Sequence, residues 1–288
     1  MLIGGSAFKK GGRITSHGGG FSSVFPFKNK NGKKIAIKCW CNDIGDVKLR
    51  MVMISNRIKG LKLPYFLDFI FDEHGLIVTG TIRPIIAMEW SESLDLKEYI
   101  NNNYNTNKVI FIELAENFMK MVKDFHLNNI AHGDLSHGNI KVTSNKNLLV
   151  IDYDSMFVEG MDGLTDNIKG LPGYQHPKRL NNLKVHNRLD YFSELIIYLS
   201  LIVYNESPEL WVKYYGTEDF LFSKTDFYAP QNSSLIQSLL LNKNSTITYL
   251  TNYLIAALKF DDICQIEPLE DVLDKRFVAI ANGIINKF

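Results

Sequence analysis

Ala131-His132-Gly133-Asp134-Leu135-Ser136-His137-Gly138-Asn139-Ile140 is the stretch on which the reading of this chain turns. It opens an irregular section, from Ile130 to Pro177, that is rich in Gly, Asp and His and lies between two runs of helical period, Lys108 to Leu127 and Leu189 to Tyr204. Irregular polar segments held between rigid elements are where binding and chemistry concentrate. Beyond Asn139 an apolar run, Leu149-Val150-Ile151, ends in Asp152-Tyr153-Asp154. The section closes on Gly170-Leu171-Pro172-Gly173-Tyr174-Gln175-His176-Pro177, and Asp190 then stands at the start of an apolar helix.

Working outward, Arg13 to Trp40 reads as a strand, a glycine turn, a second strand, a turn at Asn31-Gly32 and a third strand, Lys34-Ile35-Ala36-Ile37-Lys38-Cys39-Trp40, together an antiparallel meander. Val47, Met51, Ile54 and Ile58 recur at three- and four-residue intervals between Asp46 and Leu61, which marks an amphipathic helix that Pro64 closes. Strands expected near Tyr65 to Asp72 and Leu76 to Met88 complete a small sheet. After Glu89 the texture turns helical, with Leu94 to Asn101 and Lys108 to Leu127 as the first long candidates. No internal repeat is evident, and the Asn-rich stretches at 101–107 and 242–245 read as solvated loops.

Composition bounds the function classes. At 288 residues the chain can bury a sizeable core, as one large domain or as two lobes sharing a cleft. Lys plus Arg total 32 against 31 Asp plus Glu, so the net charge of +1 gives no global reason to expect nucleic acid or an anionic membrane as a partner. Three cysteines, two of them in Cys39-Trp40-Cys41, are too few for a disulfide scaffold and fit a reduced, intracellular setting. No stretch has the length of a signal peptide or a membrane span, and the apolar run Leu195 to Tyr204 fits a buried core helix. The expected location is cytoplasmic.

The loop at 131–140 resembles the catalytic loop of the protein-kinase superfamily, in which an Asp precedes a metal-binding Asn by five positions, as Asp134 precedes Asn139. Ile151-Asp152-Tyr153-Asp154 resembles the kinase Asp-Phe-Gly ligand at the family's distance from that Asn. Gly170 to Pro177 resembles the end of an activation segment, and Asp190 follows as in the family. The resemblance implies an α+β, bilobal protein-kinase-like fold: a small antiparallel-sheet N-lobe with one helix over 1–90 and a larger, mainly α C-lobe over 91–288. It also implies ATP and Mg²⁺ or Mn²⁺ as cofactors. Phosphoryl transfer needs oxygen ligands for the metal and a carboxylate beside the attacking hydroxyl. Asn139 and Asp152 are the expected metal ligands, and Asp134 the catalytic carboxylate that orients the hydroxyl and accepts its proton.

Upstream, Ile35-Ala36-Ile37-Lys38 resembles the Val-Ala-Ile-Lys strand, so Lys38 is the expected phosphate ligand, with Ala36 and Val24 lining the nucleotide. The turn His17-Gly18-Gly19-Gly20-Phe21-Ser22-Ser23-Val24 resembles a phosphate-covering loop through Gly18, Gly19 and Gly20. Ala87-Met88-Glu89-Trp90-Ser91 resembles the hinge, with Met88, Glu89 and Ser91 at the adenine. His-Gly-Asp-Leu, Ile-Asp-Tyr-Asp and Tyr-Gln-His-Pro together look like a bacterial serine/threonine-kinase-like group. That likeness implies an unidentified protein substrate and partners of the phosphatase or von Willebrand type.

The departures bear on activity. The helix at 46–61 has no glutamate to pair with Lys38; Asp43 and Asp46 lie outside its centre. Ser136 stands where the family has lysine, with His137 as the candidate substitute, and Ser22 replaces the last glycine of the lid. Asp154 replaces a glycine, as a second acid that could add to metal binding, and Lys178 replaces a structural glutamate. Gly133 replaces the arginine of many regulated kinases, so no phosphorylation switch through that residue is expected. A protein Ser/Thr kinase is the leading reading. A nucleotide-binding pseudokinase scaffold and a small-molecule kinase of the aminoglycoside or choline phosphotransferase type are the alternatives, and the 170–177 segment favours a protein substrate.

Overall fold

The alternation in Lys34-Ile35-Ala36-Ile37-Lys38-Cys39-Trp40 does form a strand, and its burial on both faces makes it a central one. The computed structural model describes residues 5–18, 22–40, 46–78 and 80–281, in two compact units, Met1–Glu92 and Ser93–Phe288. The N-terminal unit contains β1 (Gly5–Ala7), β2 (Lys9–Lys10), β3 (Arg13–Ile14), β4 (His17–Gly18), β5 (Ser22–Asn29), β6 (Lys34–Trp40), α1 (Val47–Leu61), β7 (Phe69–Val78) and β8 (Thr81–Glu89). The main sheet runs β1-β5-β6-β8-β7, with β4 on β5, and every pairing is antiparallel. After β6 the chain therefore crosses by way of α1 to the outer strand and returns inward. Ile35, Ile37, Ile85 and Ala87 form a core on one sheet face, with Phe27 packed against them. Cys41, Gly19, Gly20 and Asp43 fall outside the described residues.

Two of the expected strands have different bounds. Tyr65 to Leu67 precede β7, and the chain does not reverse at 73–75 but runs through it with a register shift between Asp72 and Leu76. The His74 amide donates to Asp72 Oδ1 (2.9 Å), a local turn that absorbs the extra residues. Gly75 is required there, since a Cβ would lie 2.1 Å from the Ile85 side chain. The reversal comes at Gly80, with φ of 79°. Helix α1 buries Met51, Ile54 and Ile58 as the spacing predicts, and Ser55 Oγ donates to Phe69 O (3.3 Å), tying the helix to β7. Its sequence holds no glutamate.

The C-terminal unit is mainly helical: β9 (Leu94–Asp95), α2 (Leu96–Asn103), α3 (Ile110–Leu127), β10 (Ile140–Val142), β11 (Leu148–Val150), α4 (Tyr191–Glu206), α5 (Glu209–Tyr214), α6 (Lys224–Tyr228), α7 (Ser234–Leu240), α8 (Ser245–Ala257) and α9 (Leu269–Ala281). The α+β class read from the sequence holds, with an antiparallel sheet and α1 in one unit and helices dominating the other. Helix α3 buries Phe111, Leu114, Phe118, Met121, Val122 and Phe125 at helical spacing. Helix α4 is buried nearly all round, as an apolar helix in a core must be. No described helix is long and apolar enough to cross a membrane.

His126 ties three of these helices. Its Nδ1 lies 2.8 Å from Glu270 on α9 and its Nε2 lies 3.0 Å from Glu194 on α4. Burial works against its positive charge, but the attraction and hydrogen bonds of the two carboxylates outweigh that and raise its pKa to about 9. A raised folded-state pKa means stability that is complete below the unfolded value near 6.5 and lost as pH climbs towards 9. The melting temperature is expected to fall over that window, by a free energy of at most about 3 kcal/mol. His126→Gln should flatten the slope in thermal melts from pH 6 to pH 9, and an unchanged slope would contradict the assignment.

Candidate active site

The loop is built from its backbone outward. Helix α3 ends at Leu127, Asn129 turns the chain at φ of 52°, and Ala131 exchanges both backbone hydrogen bonds with Phe157 (3.1 and 2.8 Å). The next two amides, of His132 and Gly133, donate to the two oxygens of Asp190, and the Gly133 contact is 2.8 Å. Asp190 is 1% exposed, and burial first, then the charge of Glu194, push its pKa up to about 6. The fully buried His132 ring bonds the Ile151 carbonyl through Nε2 (2.8 Å) and accepts the Asp134 amide at Nδ1 (3.3 Å), a pattern that selects the Nε2–H tautomer. Gly133 is obligatory: its φ is 77°, and a Cβ would meet the Ser155 carbonyl at 2.3 Å.

Asp134 then projects between two donors. Its Oδ2 accepts from Asn139 Nδ2 (3.2 Å) and its Oδ1 from the Leu171 amide (3.3 Å). Desolvation in the recess and the charge of Asp152 raise its pKa to about 6, against the opposing pull of Leu171, Asn139 and Arg179. Asn139 Nδ2 also donates to the Asp134 carbonyl (2.8 Å), which leaves Asn139 Oδ1 for another ligand. The β10–β11 hairpin delivers Asp152: Ile140 pairs with Val150, and the Ile151 amide donates to Asn139 O (3.0 Å). Asp152 is left-handed at φ of 69°, a conformation costing a non-glycine residue about 1 kcal/mol. Asp tolerates it better than most residues, and such strain clusters at functional sites.

Asp154 lies 5% exposed in the 3₁₀ turn Tyr153–Ser155. Among the described residues no group of three or more His, Cys, Asp or Glu is arranged to hold a metal. An Asp carboxylate with an Asn amide oxygen is a pair that suits a Mg²⁺ ion completed by phosphates and water, and does not make an all-protein cage. His137 does not replace the missing lysine charge. Its Nδ1 bonds Tyr174 Oη, its ring stacks on Phe220, and burial first, then the repulsion of Lys97, push its pKa down to about 4. Lys178 instead pairs with Asp261 (3.3 Å), an exposed contact.

In the N-terminal unit, sheet register gathers most of the expected nucleotide residues. Val24 pairs with Lys38 and Ala36 with Met88, so these four share one face, because cross-strand partners and residues two apart point the same way. Lys38 is 4% exposed, with its Nζ 6.0 Å from the Trp40 ring centre. Glu89 pairs with Ile35, on the opposite face, and forms an ion pair with Lys33 (3.0 Å). Gly18 sits in β4 opposite Ser23, and Ser91 follows β8. Sequence reasoning noted Asp190 but did not assign it the loop amides, and it did not reach Arg179, Asp166 or the Leu171 amide.

No protein-family model matches the chain. It is 24% identical over 220 residues to the "Probable serine/threonine-protein kinase zyg-1" of Caenorhabditis elegans, covering 71% of this chain and 30% of that protein. It is 29% identical over 112 residues to the "Serine/threonine-protein kinase Nek3" of rice, Oryza sativa subsp. japonica, covering 38% and 19%. It is 23% identical over 241 residues to the "Interferon-induced, double-stranded RNA-activated protein kinase" of Rattus norvegicus, covering 78% and 47%. The chain is thus distantly similar to serine/threonine protein kinases and spans less than half the length of these relatives.

Asp190→Ala would orphan two buried amides and is expected to cost about 2–4 kcal/mol in urea unfolding. Asp190→Asn, which keeps one acceptor, should cost clearly less. Equal costs for the two variants would contradict the role given to the carboxylate.

Proposed function

We propose that the chain is an ATP- and metal-dependent phosphotransferase of the serine/threonine protein-kinase type, moving the γ-phosphate to a protein hydroxyl. The observation that carries this reading is the set of Asp134, Asn139 and Leu171: a recessed carboxylate held by an amide whose oxygen is left for another ligand, and capped by a backbone N–H from the 170–177 segment. Distant similarity to serine/threonine protein kinases supports the same class.

In this reading Asp134 orients the acceptor hydroxyl and takes its proton as the oxygen bonds to the γ-phosphorus and the bond to the departing ADP breaks. Asp152 and Asn139 Oδ1 hold the metal, which when bound neutralises phosphate charge. Lys38 contacts the phosphates, and Val24, Ala36 and Met88 line the nucleotide on their shared sheet face. The protein-substrate preference is supported by the way the 170–177 segment is built into the loop: Leu171 on Asp134 and Tyr174 on His137 make this segment part of the surroundings of the acceptor.

With γ-labelled ATP, Mg²⁺ or Mn²⁺ and a generic protein substrate, Asp134→Asn should lose on the order of 10²-fold or more in transfer while binding Mg-ATP normally. Asp152→Asn should lose metal-dependent binding of ATP itself. Undiminished transfer by Asp134→Asn, or undiminished Mg-ATP binding by Asp152→Asn, would contradict the assigned roles. Binding without transfer in the wild type would mark a nucleotide-binding module.

A further inference from the structure

Arg179 is 1% exposed, in the 3₁₀ turn Pro177–Asn181, and its guanidinium reaches four separate pieces of the C-terminal unit. Nε and Nη2 fork onto Asp166 (2.8 and 3.2 Å), and Nη2 also donates to the carbonyl of Gly133 (3.1 Å) and, at 3.5 Å, to that of Ile168. Nη1 donates to Gln175 Oε1 (2.9 Å) and to Leu189 O (3.2 Å). Asp166 is equally buried and also takes Asn182 Nδ2 (3.0 Å) and Lys169 Nζ (3.2 Å). One cation thus links the residue before Asp134, the residue before Asp190 and the strand of chain that leads to Leu171.

Stability alone does not account for the pair, because a buried ion pair is often matched or exceeded by apolar side chains of similar volume. What such side chains cannot do is hydrogen-bond the carbonyls of Gly133 and Ile168. An arginine cannot stand at 133 itself, since that position admits no Cβ. The segment runs tightly past the acid: a Cβ on Gly170 would lie 2.7 Å from Asp134 Oδ1 and 2.7 Å from Gln175 Nε2. A small drift of residues 166–171 therefore moves the Leu171 amide off Asp134.

We propose that Arg179 is a positioning residue for Asp134 and that Asp166 is its built-in anion, seating residues 166–171 on the catalytic loop without an added phosphate. The proposal rests on reading Asp134 as the group that meets the acceptor hydroxyl. Asp166 supplies from within the chain the negative charge that a phosphorylated segment would otherwise bring to an arginine.

The test compares wild type with the double variant Asp166→Leu/Arg179→Met and with Arg179→Lys, by thermal melting, hydrogen exchange over 131–139 and 166–175, and steady-state transfer. The apolar pair should still fold, its apolar packing offsetting the lost ion pair while the unpaired carbonyls lower the melting temperature, and exchange at Leu171 should quicken by about tenfold or more. Its kcat should fall on the order of 10²-fold with the KM for Mg-ATP unchanged. Arg179→Lys keeps the charge but not the fork, and is read in the same way should the double variant not fold. Wild-type exchange and kcat in a folded variant would overturn the proposal, as would a rise in kcat of about tenfold on phosphorylating the 153–175 segment. If the wild type transfers no phosphate, exchange alone decides: quickened exchange sustains the brace while the phosphotransfer reading fails, and unchanged exchange sinks the brace.

Discussion

One buried carboxylate, that of Asp190, receives the amides of His132 and Gly133, and the rest of the site depends on that pair of hydrogen bonds. Two adjacent backbone N–H groups cannot be buried without an acceptor, and an irregular loop has no ladder to supply one. Helix α4 brings the acceptor from the core, where its near-complete burial leaves it little freedom to move. With those amides fixed, Asp134 follows at a set distance along the chain, and the β10–β11 hairpin sets Asn139 and Asp152 against it. A mobile acid has thereby become a positioned one before any ligand arrives.

The electrostatics of the C-terminal loop differ from what substitution by type would suggest. Ser136, two residues after Asp134, is buried and carries no charge, and the neighbouring His137 is neutral because burial and a nearby lysine hold it so. Arg179, whose guanidinium donates to the loop at Gly133, comes from beyond the 170–177 segment and is spent on Asp166 and on backbone carbonyls. The loop therefore holds its shape through a neutralised, hydrogen-bonded core, and Asp134 keeps an elevated pKa in spite of three stabilising neighbours.

Much of this was legible in the sequence, for identifiable reasons. The turn at Asn31-Gly32 followed by the run Lys34 to Trp40 gave β6 away, and three- and four-residue spacing gave α1, α3 and α4, because side-chain direction is tied to backbone period. The order of Asp134, Asn139, Asp152 and Asp190 was visible because the loop chemistry is local. The passage through 73–75 was not: a glycine after Asp72 reads as a reversal, and only the close approach of Ile85 explains why Gly75 lies inside a strand. Nor were the partners of Arg179 readable, since its contacts at Gly133, Asp166 and Leu189 are separated along the chain and share no spacing rule. The neutrality of His137 likewise depends on what surrounds it, which a neighbour list in sequence does not contain.

The most direct measurement is a crystal structure of the protein with Mn²⁺ and a non-hydrolysable ATP analogue, with the metal located by its anomalous scattering. Manganese should lie about 2–2.3 Å from an Asp152 carboxylate oxygen and from Asn139 Oδ1, with phosphate oxygens completing its shell. Nucleotide bound with its metal away from both residues would contradict the assignment of this loop as the phosphoryl-transfer site.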